Sequence, residues 1–392
     1  MVNACSQSVR LSMKILLVAG PLHREYGGVP QAVTGVASSL ATLGHEIKLV
    51  VCGQSIKDSH LNSFFFDKLK KSGSEVQIYI RSKQSKYGSL LKFKEVKSLW
   101  NDMAKSDFIV LHQVFQLQYL ALFFVLLLNG KPFAVMPHGT LTEYQRKQHR
   151  LRKFVFRLPT YAFLKSANGI FVATMQELEQ LPKYLKEKGL IVGLGIEPQD
   201  KQSISKLIPP RIFSLLYMGR LAKKKRLDIA LRAFALAKKD SQIDMNFIVC
   251  GTGEVNEITE LKELVESLGI EKVVDFRGWV DSTEKQSVFF ESSCFILTSE
   301  DENFAIAAAE ALSYGIPCIL SANVALASLV AKYNAGVVFQ EITPNEIAQA
   351  IIKISTGDRE VCKRLSLLAS SELDWDVVAK QWESAIKSLV RQ

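Results

Sequence analysis

The stretch RIFSLLYMGR, residues 211–220, is an apolar run that ends in a glycine and leads into a basic loop. Such a run is typical of a parallel strand that is buried on both faces. A helical pattern follows at residues 228–239, and a second apolar run, MNFIVCGTG at residues 245–253, again ends in a glycine loop. This alternation of strands and helices predicts an α/β fold with a doubly wound parallel sheet.

The first half of the chain shows the same alternation. Its apolar runs are KILLVAG (14–20), EIKLVVC (46–52), DFIVLH (107–112), KPFAVMPHG (131–139) and GIFVAT (169–174). Two such series in 392 residues predict two Rossmann-like domains. The predicted bounds are a loose tail at 1–12, an N-terminal domain at 13–200, a C-terminal domain at 201–372 and a last helix at 373–392, with KQSISKLIPP as the linker. Neither series opens with GxGxxG, which disfavours dinucleotide binding.

The charge of the chain is distributed unevenly. Residues 1–200 hold 26 Lys and Arg against 14 Asp and Glu, whereas the remainder holds 23 against 25, so the net charge of +10 comes from the first half. A basic half suggests an anionic partner, such as a membrane surface, a phosphorylated acceptor or nucleic acid, and solubility alone is the alternative. No nucleic-acid module is present, which argues against the last partner.

Other bulk features indicate a protein of a reducing compartment. The six cysteines are scattered without a CxxC pair, which favours free thiols. The first residues lack an apolar signal core, so we expect a cytoplasmic protein. The longest apolar run, LALFFVLLL at 120–128, is too short to span a bilayer and predicts a buried helix.

Two glutamates, Glu302 and Glu310, are separated by seven residues in an alanine-rich stretch. If Asn303–Tyr314 is one helix, the two carboxylates stand roughly 12 Å apart along its axis. That spacing exceeds the roughly 5–9.5 Å of glycosidase carboxylates, and it suits two ends of one extended ligand with a phosphate at the helix start. The alternative is that Glu302 caps the helix and Glu310 is solvated.

Seven motifs in this order resemble the retaining GT-B glycosyltransferases of glycosyltransferase family 4 (group 1). They are PLHREYGGVPQAV (21–33), GHEIKLVV (44–51), MPHGTL (136–141), GRLAKKK (219–225), GTGE (251–254), FRGWV (276–280) and the Glu-x7-Glu pair, and the closing stretch LDWDVVAKQWESAIKSL (373–389) resembles the family's helix that crosses back to the first domain. The resemblance implies two Rossmann-like domains that face each other across a cleft. It also implies transfer of a sugar from a nucleotide donor.

The resemblance assigns roles to particular residues. It implies catalytic roles for four residues: His112, Arg220, Lys225 and Glu302. It implies donor contacts for twelve others: Gly27, Gly28, His138, Gly219, Gly251, Gly253, Trp279, Val280, Asn303, Phe304, Ala305 and Glu310. Arg220 and Lys225 would face the phosphates, Glu302 the sugar hydroxyls and Glu310 the ribose. The histidines also end predicted strands, where ligands of such folds bind, although a lone histidine is more often structural.

The expected reaction is same-face attack by the acceptor hydroxyl, with no covalent enzyme intermediate, no metal and no other cofactor. The chain departs from the family pattern at three places: Arg226 replaces the glycine after the loop lysine, Asn303 and Ala305 replace two glycines of the Glu-Gly-Phe-Gly motif, and 194–197 read Leu-Gly-Ile-Glu in place of Asn-Gly-Val-Asp. We expect the methyl of Ala305 to tune donor choice.

The expected partners are a nucleotide-sugar donor and a glycan or lipid-linked acceptor of polysaccharide or glycolipid biosynthesis. Peripheral contact with an anionic membrane at its inner face is a further expectation, carried by six basic residues: Arg146, Lys147, Arg150, Arg152, Lys153 and Arg157. A solvated basic helix face is the alternative. Two other functions stay open: a nucleotide-sugar 2-epimerase of the same fold, and a non-catalytic nucleotide-sugar-binding relative.

Overall fold

A computed structural model describes residues 12–22, 28–55, 63–81, 93–114, 118–147, 160–199, 212–241 and 243–391. Several predictions lie outside the described residues: residues 1–11 of the predicted tail, the linker at 201–210, and the residues Gly27, Arg150, Arg152, Lys153 and Arg157. The described residues form two parallel sheets, one in each half of the chain. The predicted fold class, two doubly wound α/β domains, is therefore confirmed.

The first sheet has seven strands in the order β3-β2-β1-β4-β5-β6-β7, and each described pair is parallel. The strands are β1 (Lys14–Ala19), β2 (Glu46–Ser55), β3 (Glu75–Arg81), β4 (Phe108–His112), β5 (Phe133–Met136), β6 (Gly169–Val172) and β7 (Gly189–Ile191). The helices are α1 (Gly28–Thr42), α2 (Ser63–Lys71), α3 (Phe93–Lys105), α4 (Gln118–Asn129), α5 (Glu143–Lys147), α6 (Met175–Gln180) and α7 (Lys183–Lys186), and 160–166 are also helical. The strand order reverses between β1 and β4, and ligands of such sheets bind at that point.

The second sheet has six strands in the order β10-β9-β8-β11-β12-β13. The strands are β8 (Phe213–Met218), β9 (Met245–Cys250), β10 (Val274–Gly278), β11 (Cys294–Leu297), β12 (Cys318–Ser321) and β13 (Gly336–Phe339). The helices are α8 (Leu227–Asp240), α9 (Val255–Ser267), α10 (Ser282–Phe290), α11 (Ile306–Ser313), α12 (Ala327–Tyr333), α13 (Pro344–Ser355), α14 (Arg359–Ser370) and α15 (Trp375–Val390), with 3₁₀ turns at Lys223–Lys225 and Ser371–Leu373. This order reverses between β8 and β11.

The last helix, α15, packs on the first domain. Its buried Trp382 stands edge-on to Phe171 of β6, and the indole donates a hydrogen bond to the carbonyl of Gly193 (3.2 Å). Trp375 fills the space above Gly35 of α1, where an added Cβ would lie 1.9 Å from the ring. The end of the chain therefore ties the two halves together, while the domain bounds given above stay a prediction.

The apolar helix α4 is only half buried. Leu122, Val125 and Leu126 lie in the core, but Phe124 is 64% exposed and Leu128 is 77% exposed. The prediction of a buried helix is therefore wrong for its outer face. Within the described ranges, no helix is both long enough and apolar enough to span a bilayer.

Candidate active site in the interdomain cleft

Two glycine loops meet at the carboxyl end of the second sheet, after the neighbouring strands β8 and β9. The loop after β8 runs from Gly219 to Lys225, and the hydroxyl of buried Tyr217 holds it by donating to the carbonyl of Arg220 (2.8 Å). The loop after β9 lies so close that a Cβ on Gly251, whose φ is +143°, would stand 1.8 Å from the carbonyl oxygen of Gly219. Only glycine permits this approach, which fixes the two glycine loops against each other.

Buried hydroxyls join the loop after β8 to the loop after β11. Thr298 donates to the carbonyl of Lys225 (2.9 Å) and to that of Arg226 (2.8 Å), and Ser299 donates to the carbonyl of Lys224 (3.3 Å). Both hydroxyl-bearing residues are fully buried. The segment after β11, which leads to Glu302, thus holds in place the 3₁₀ turn that carries Lys225.

Lys225 and Glu302 form a salt bridge through Nζ and Oε2. Both side chains are mostly buried, so solvent screens this pair less than it would a surface pair. Beside them, burial lowers the pKa of Lys224, and burial raises the pKa of the Asp301 carboxyl. Charged groups of both signs thus lie together at the carboxyl end of the second sheet.

The helix that follows Glu302 begins later than the sequence indicates. α11 starts at Ile306, and Glu302 lies in extended backbone bridged to Val324, so the predicted helix from Asn303 is wrong. The cause is Ala305, whose left-handed backbone (φ 66°, ψ 62°) breaks the helical run. Among the described residues, no side chain caps α11, so its first amides could accept an anion.

Glu310 is held from both domains. Its Oε1 accepts from Nε2 of Gln31 on α1 (2.9 Å), and its Oε2 pairs with Nζ of Lys285 on α10 (2.5 Å). The side chain is 13% exposed. The alternative of a capping Glu302 and a solvated Glu310 is therefore wrong, because the first pairs with Lys225 and the second bridges the cleft.

His112 and His138 form a hydrogen-bonded pair in the first domain, with Nδ1 of His112 2.9 Å from Nε2 of His138. His112 is fully buried and stacks on Trp382, whereas His138 is partly exposed and has a left-handed backbone (φ 52°). Burial lowers the pKa of both imidazoles, that of His138 to about 4. Both rings are thus neutral at pH 7.

Glycines of the first domain face the start of α11. A Cβ on Gly139 (φ +78°) would lie 2.9 Å from the Cβ of Asn303, and one on Gly28 would lie 2.6 Å from Cδ1 of Ile306. Each close approach brings first-domain backbone to the amides that precede α11. Phe304 between them is buried.

The remaining predicted donor residues lie farther out on the second sheet. Gly253 follows β9, and Leu221 is bridged to it. Trp279 and Val280 follow β10, where the Trp279 side chain is half exposed. The structure thus brings Arg220, Lys225 and Glu302 to the reversal point and leaves Trp279 at the rim.

Sequence reasoning missed Gln31, Lys285, Asp301 and Glu177. Glu177 is a buried carboxylate of α6 that contacts both Gly139 and Asn303. A signal existed for it, since Thr174-x-x-Glu177 is a helix-capping pattern, but the pattern does not reveal the cross-domain contact. Among the described residues, no cluster of three His, Cys, Asp or Glu could hold a metal ion.

Of the six predicted membrane-contact residues, the described part contains two. Arg146 is exposed on the short helix α5, and its guanidinium donates to the carbonyl of Gln180 (3.3 Å). The backbone of Lys147 ends that helix. The predicted basic amphipathic helix therefore stays a prediction beyond residue 147.

Comparison with known proteins places the chain among glycosyltransferase-like sequences and folds. Residues 198–368 match the family described as Glycosyl transferases group 1. The GDP-mannose:cellobiosyl-diphosphopolyprenol alpha-mannosyltransferase of Xanthomonas oryzae is 24% identical over 94% of this chain and 95% of its own length. Mannosylfructose-phosphate synthase of Agrobacterium fabrum is 31% identical over 27% of this chain and 25% of its own length, and D-inositol 3-phosphate glycosyltransferase 2 of Catenulispora acidiphila is 28% identical over 47% of each.

Solved structures share the fold. Anabaena HepE in complex with UDP and glucose superposes with a TM-score of 0.73 at 18% identity, covering 96% of this chain and all of HepE. WaaG, a glycosyltransferase involved in lipopolysaccharide biosynthesis, gives 0.65 at 16% identity over 95% of this chain and 98% of its own. The chain thus has the two-domain GT-B fold, and its second half is a glycosyltransferase group 1 domain.

Proposed function

We propose that the chain transfers a sugar from a UDP- or GDP-sugar to a hydroxyl of a glycan or lipid-linked acceptor, with retention of configuration. The observation that carries this proposal is the Lys225–Glu302 pair beside the uncapped start of α11, with Glu310 held farther along the same helix. The named ligands of the relatives, UDP for HepE and GDP-mannose for the Xanthomonas enzyme, support the donor class.

Each charged group has a part in this reaction. As the glycosidic bond breaks, negative charge develops on the diphosphate, and Arg220, Lys225 and the amides before α11 would stabilise it. Because these groups supply positive charge, the proposal includes no metal and no other cofactor. Glu302 would bind sugar hydroxyls and Glu310 the ribose.

The proposed step is a same-face displacement. The bond from the anomeric carbon to the diphosphate oxygen breaks while the acceptor oxygen bonds to that carbon on the same face. The acceptor hydroxyl passes its proton to the leaving diphosphate. No enzyme side chain therefore forms a covalent bond to the sugar or takes up the proton. His138 is neutral at pH 7, because burial lowers its pKa to about 4, and it can serve as a hydrogen-bond partner of the sugar.

We also propose that the first domain contacts an anionic membrane peripherally, at the inner face, in polysaccharide or glycolipid assembly. Support comes from the basic excess of residues 1–200 and from exposed Phe124, Leu127 and Leu128 on α4. Cosedimentation with phosphatidylglycerol vesicles should drop severalfold in Phe124→Ser/Leu128→Ser. Equal binding by the variant, or equal binding to phosphatidylcholine vesicles, would contradict this contact.

The first experiment is a thermal-shift panel with UDP, GDP and ADP on wild type and on Glu310→Ala. A rise of several degrees with one nucleotide, lost in the variant, supports the donor site and names the base. Turnover of the matching nucleotide sugars, with and without acceptor glycans, then separates transfer from the 2-epimerase alternative, which needs no acceptor. No shift with any nucleotide would contradict the proposed donor site, whereas a shift without any turnover would favour the non-catalytic nucleotide-sugar-binding relative.

A further inference from the structure

In the described part of the chain, three helices begin with the capping pattern in which a Ser, Thr or Asp is followed three residues later by Glu. In the pair Asp281 and Glu284, each side chain accepts from the backbone amide of the other residue (3.0 and 2.9 Å). Glu346, three residues after the cap Thr343, accepts from the amides of Gln340 and Glu341 (3.0 and 2.9 Å). Glu284 therefore serves its own helix start, and Glu346 holds the loop that leads directly into its helix.

The third glutamate, Glu177 of α6, reaches beyond its own helix. Thr174 accepts from the amide of Glu177 (3.2 Å), as the pattern predicts. The carboxylate of Glu177, however, accepts from the amide of Ala173 (2.8 Å) and from that of Gly139, 38 residues earlier (2.7 Å). It is 3% exposed, unlike exposed Glu284.

The same carboxylate crosses the cleft. The side chain of Asn303, between Glu302 and Phe304, donates a hydrogen bond to Glu177. Among the described atoms, Oδ1 of Asn303 is buried without a hydrogen-bond partner, and it lies 3.4 Å from the point where a Cβ on Gly139 would stand. Burial raises the pKa of Glu177, while the three hydrogen bonds favour its ionised form.

Both partners of Glu177 belong to the cleft. Gly139 directly follows His138, and Asn303 precedes the first amides of α11. The other described contacts in this region, Gln145 to Asp301, Gln176 to the carbonyl of Asn323 and Gln31 to Glu310, use neutral amides on the first-domain side. Glu177 instead supplies a carboxyl group there, whose two oxygens accept from the backbone amides of Gly139 and Ala173.

We propose that Glu177 is a positioning residue that clasps the two domains. It holds Gly139 against Asn303. It thereby fixes the distance between His138 of the first domain and the start of α11 in the second domain. The proposal rests on the proposed function for its kinetic consequence only, because domain closure can be measured without turnover.

The test compares Glu177→Gln, Asn303→Ala and the double variant, with Glu346→Gln as a control at the equivalent capping position. In Glu177→Gln, kcat should fall roughly tenfold to a hundredfold, while the affinity for UDP or GDP alone, which the second domain holds, should stay within about twofold. Because the two side chains act through one contact, the double variant should be about as slow as the slower single variant. Glu346→Gln should match wild type.

Closure is followed separately by small-angle X-ray scattering. Addition of the nucleotide that shifts the melting temperature of wild type should reduce its radius of gyration, and Glu177→Gln should lose that reduction. Multiplicative effects of the two substitutions on kcat, or wild-type closure in both variants, would overturn the clasp. If wild type shows no turnover, the proposed function fails while the scattering result still decides the clasp. If Glu177→Gln does not fold, Asn303→Ala alone decides by the same scattering measurement.

Discussion

The two sides of the cleft carry different kinds of polar groups. The second-domain side carries charged groups, namely Arg220, Lys225, Glu302 and Glu310, on loops tied together by buried hydroxyls. The described part of the first-domain side offers mainly neutral groups, such as His138 and backbone at glycines. Yet the basic excess of the chain lies in residues 1–200. Net charge of a domain therefore does not locate its charged site.

Because the charged groups lie on the second-domain side, we expect their removal to have the largest effect on kcat. Lys225→Ala should lower kcat roughly 10²–10³-fold, because it removes a phosphate contact and leaves Glu302 without its partner. Lys223→Ala, in the same 3₁₀ turn but exposed, is the matched control and should stay within about twofold. Steady-state kinetics with the cognate nucleotide sugar measures both. Equal losses in the two variants would mean that the loop contributes only general positive charge.

The neutral first-domain side predicts a smaller, pH-dependent effect on stability. Burial lowers the pKa of His112 and His138, the latter to about 4, so between pH 6.5 and 4 the unfolded chain binds more protons than the folded one. The unfolding free energy is thus fully present above pH 6.5 and falls with acidification, by at most about 1.4 kcal/mol per pH unit per histidine.

The variant His138→Asn tests whether the imidazole of His138 causes this pH dependence. Asparagine is a suitable replacement because it tolerates the left-handed backbone at this position. Urea unfolding of wild type and variant at pH 7, 6 and 5 should give a shallower loss of stability for the variant. Parallel lines for the two proteins would show that the imidazole of His138 does not titrate in this window. The neutral side of the cleft would then owe its pH dependence to other groups.

The sequence was most informative where a pattern reports local structure. Apolar runs that end in glycine predicted both sheets, since a buried parallel strand must be apolar along its length. They also placed His112 and His138 at strand ends and Lys225 in the loop after β8, because loops follow strands in order. The Glu302 and Glu310 spacing suggested contacts with two ends of one extended ligand, which stays a prediction, and it was read on a helix that starts three residues too early.

What the sequence could not reveal is pairing across long separations. Gln31 and Glu310 are 279 residues apart, and nothing local marks either as the partner of the other. The capping pattern at Thr174 likewise predicts a helix start, but the turn of Glu177 toward Gly139 depends on how two domains pack. Ala305 has high helix propensity, so its left-handed backbone is set by its tertiary surroundings.

The smallest predicted effect concerns Ala305, which, like His138 on the opposite side, is a non-glycine residue in left-handed backbone. Glycine there would relieve roughly 1–2 kcal/mol of strain. It would also lose a buried methyl, worth about 0.8 kcal/mol, and add unfolded-state entropy worth roughly 0.4–1 kcal/mol. Ala305→Gly should therefore stay within about 1 kcal/mol of wild type in urea unfolding, while Ala305→Val destabilises more because its branched Cβ fits that backbone worse. If the glycine variant accepts more donors at unchanged stability, the methyl of Ala305 contributes to donor selectivity. If instead its unfolding free energy rises by more than about 2 kcal/mol, the backbone of Ala305 is strained at the charged side of the cleft.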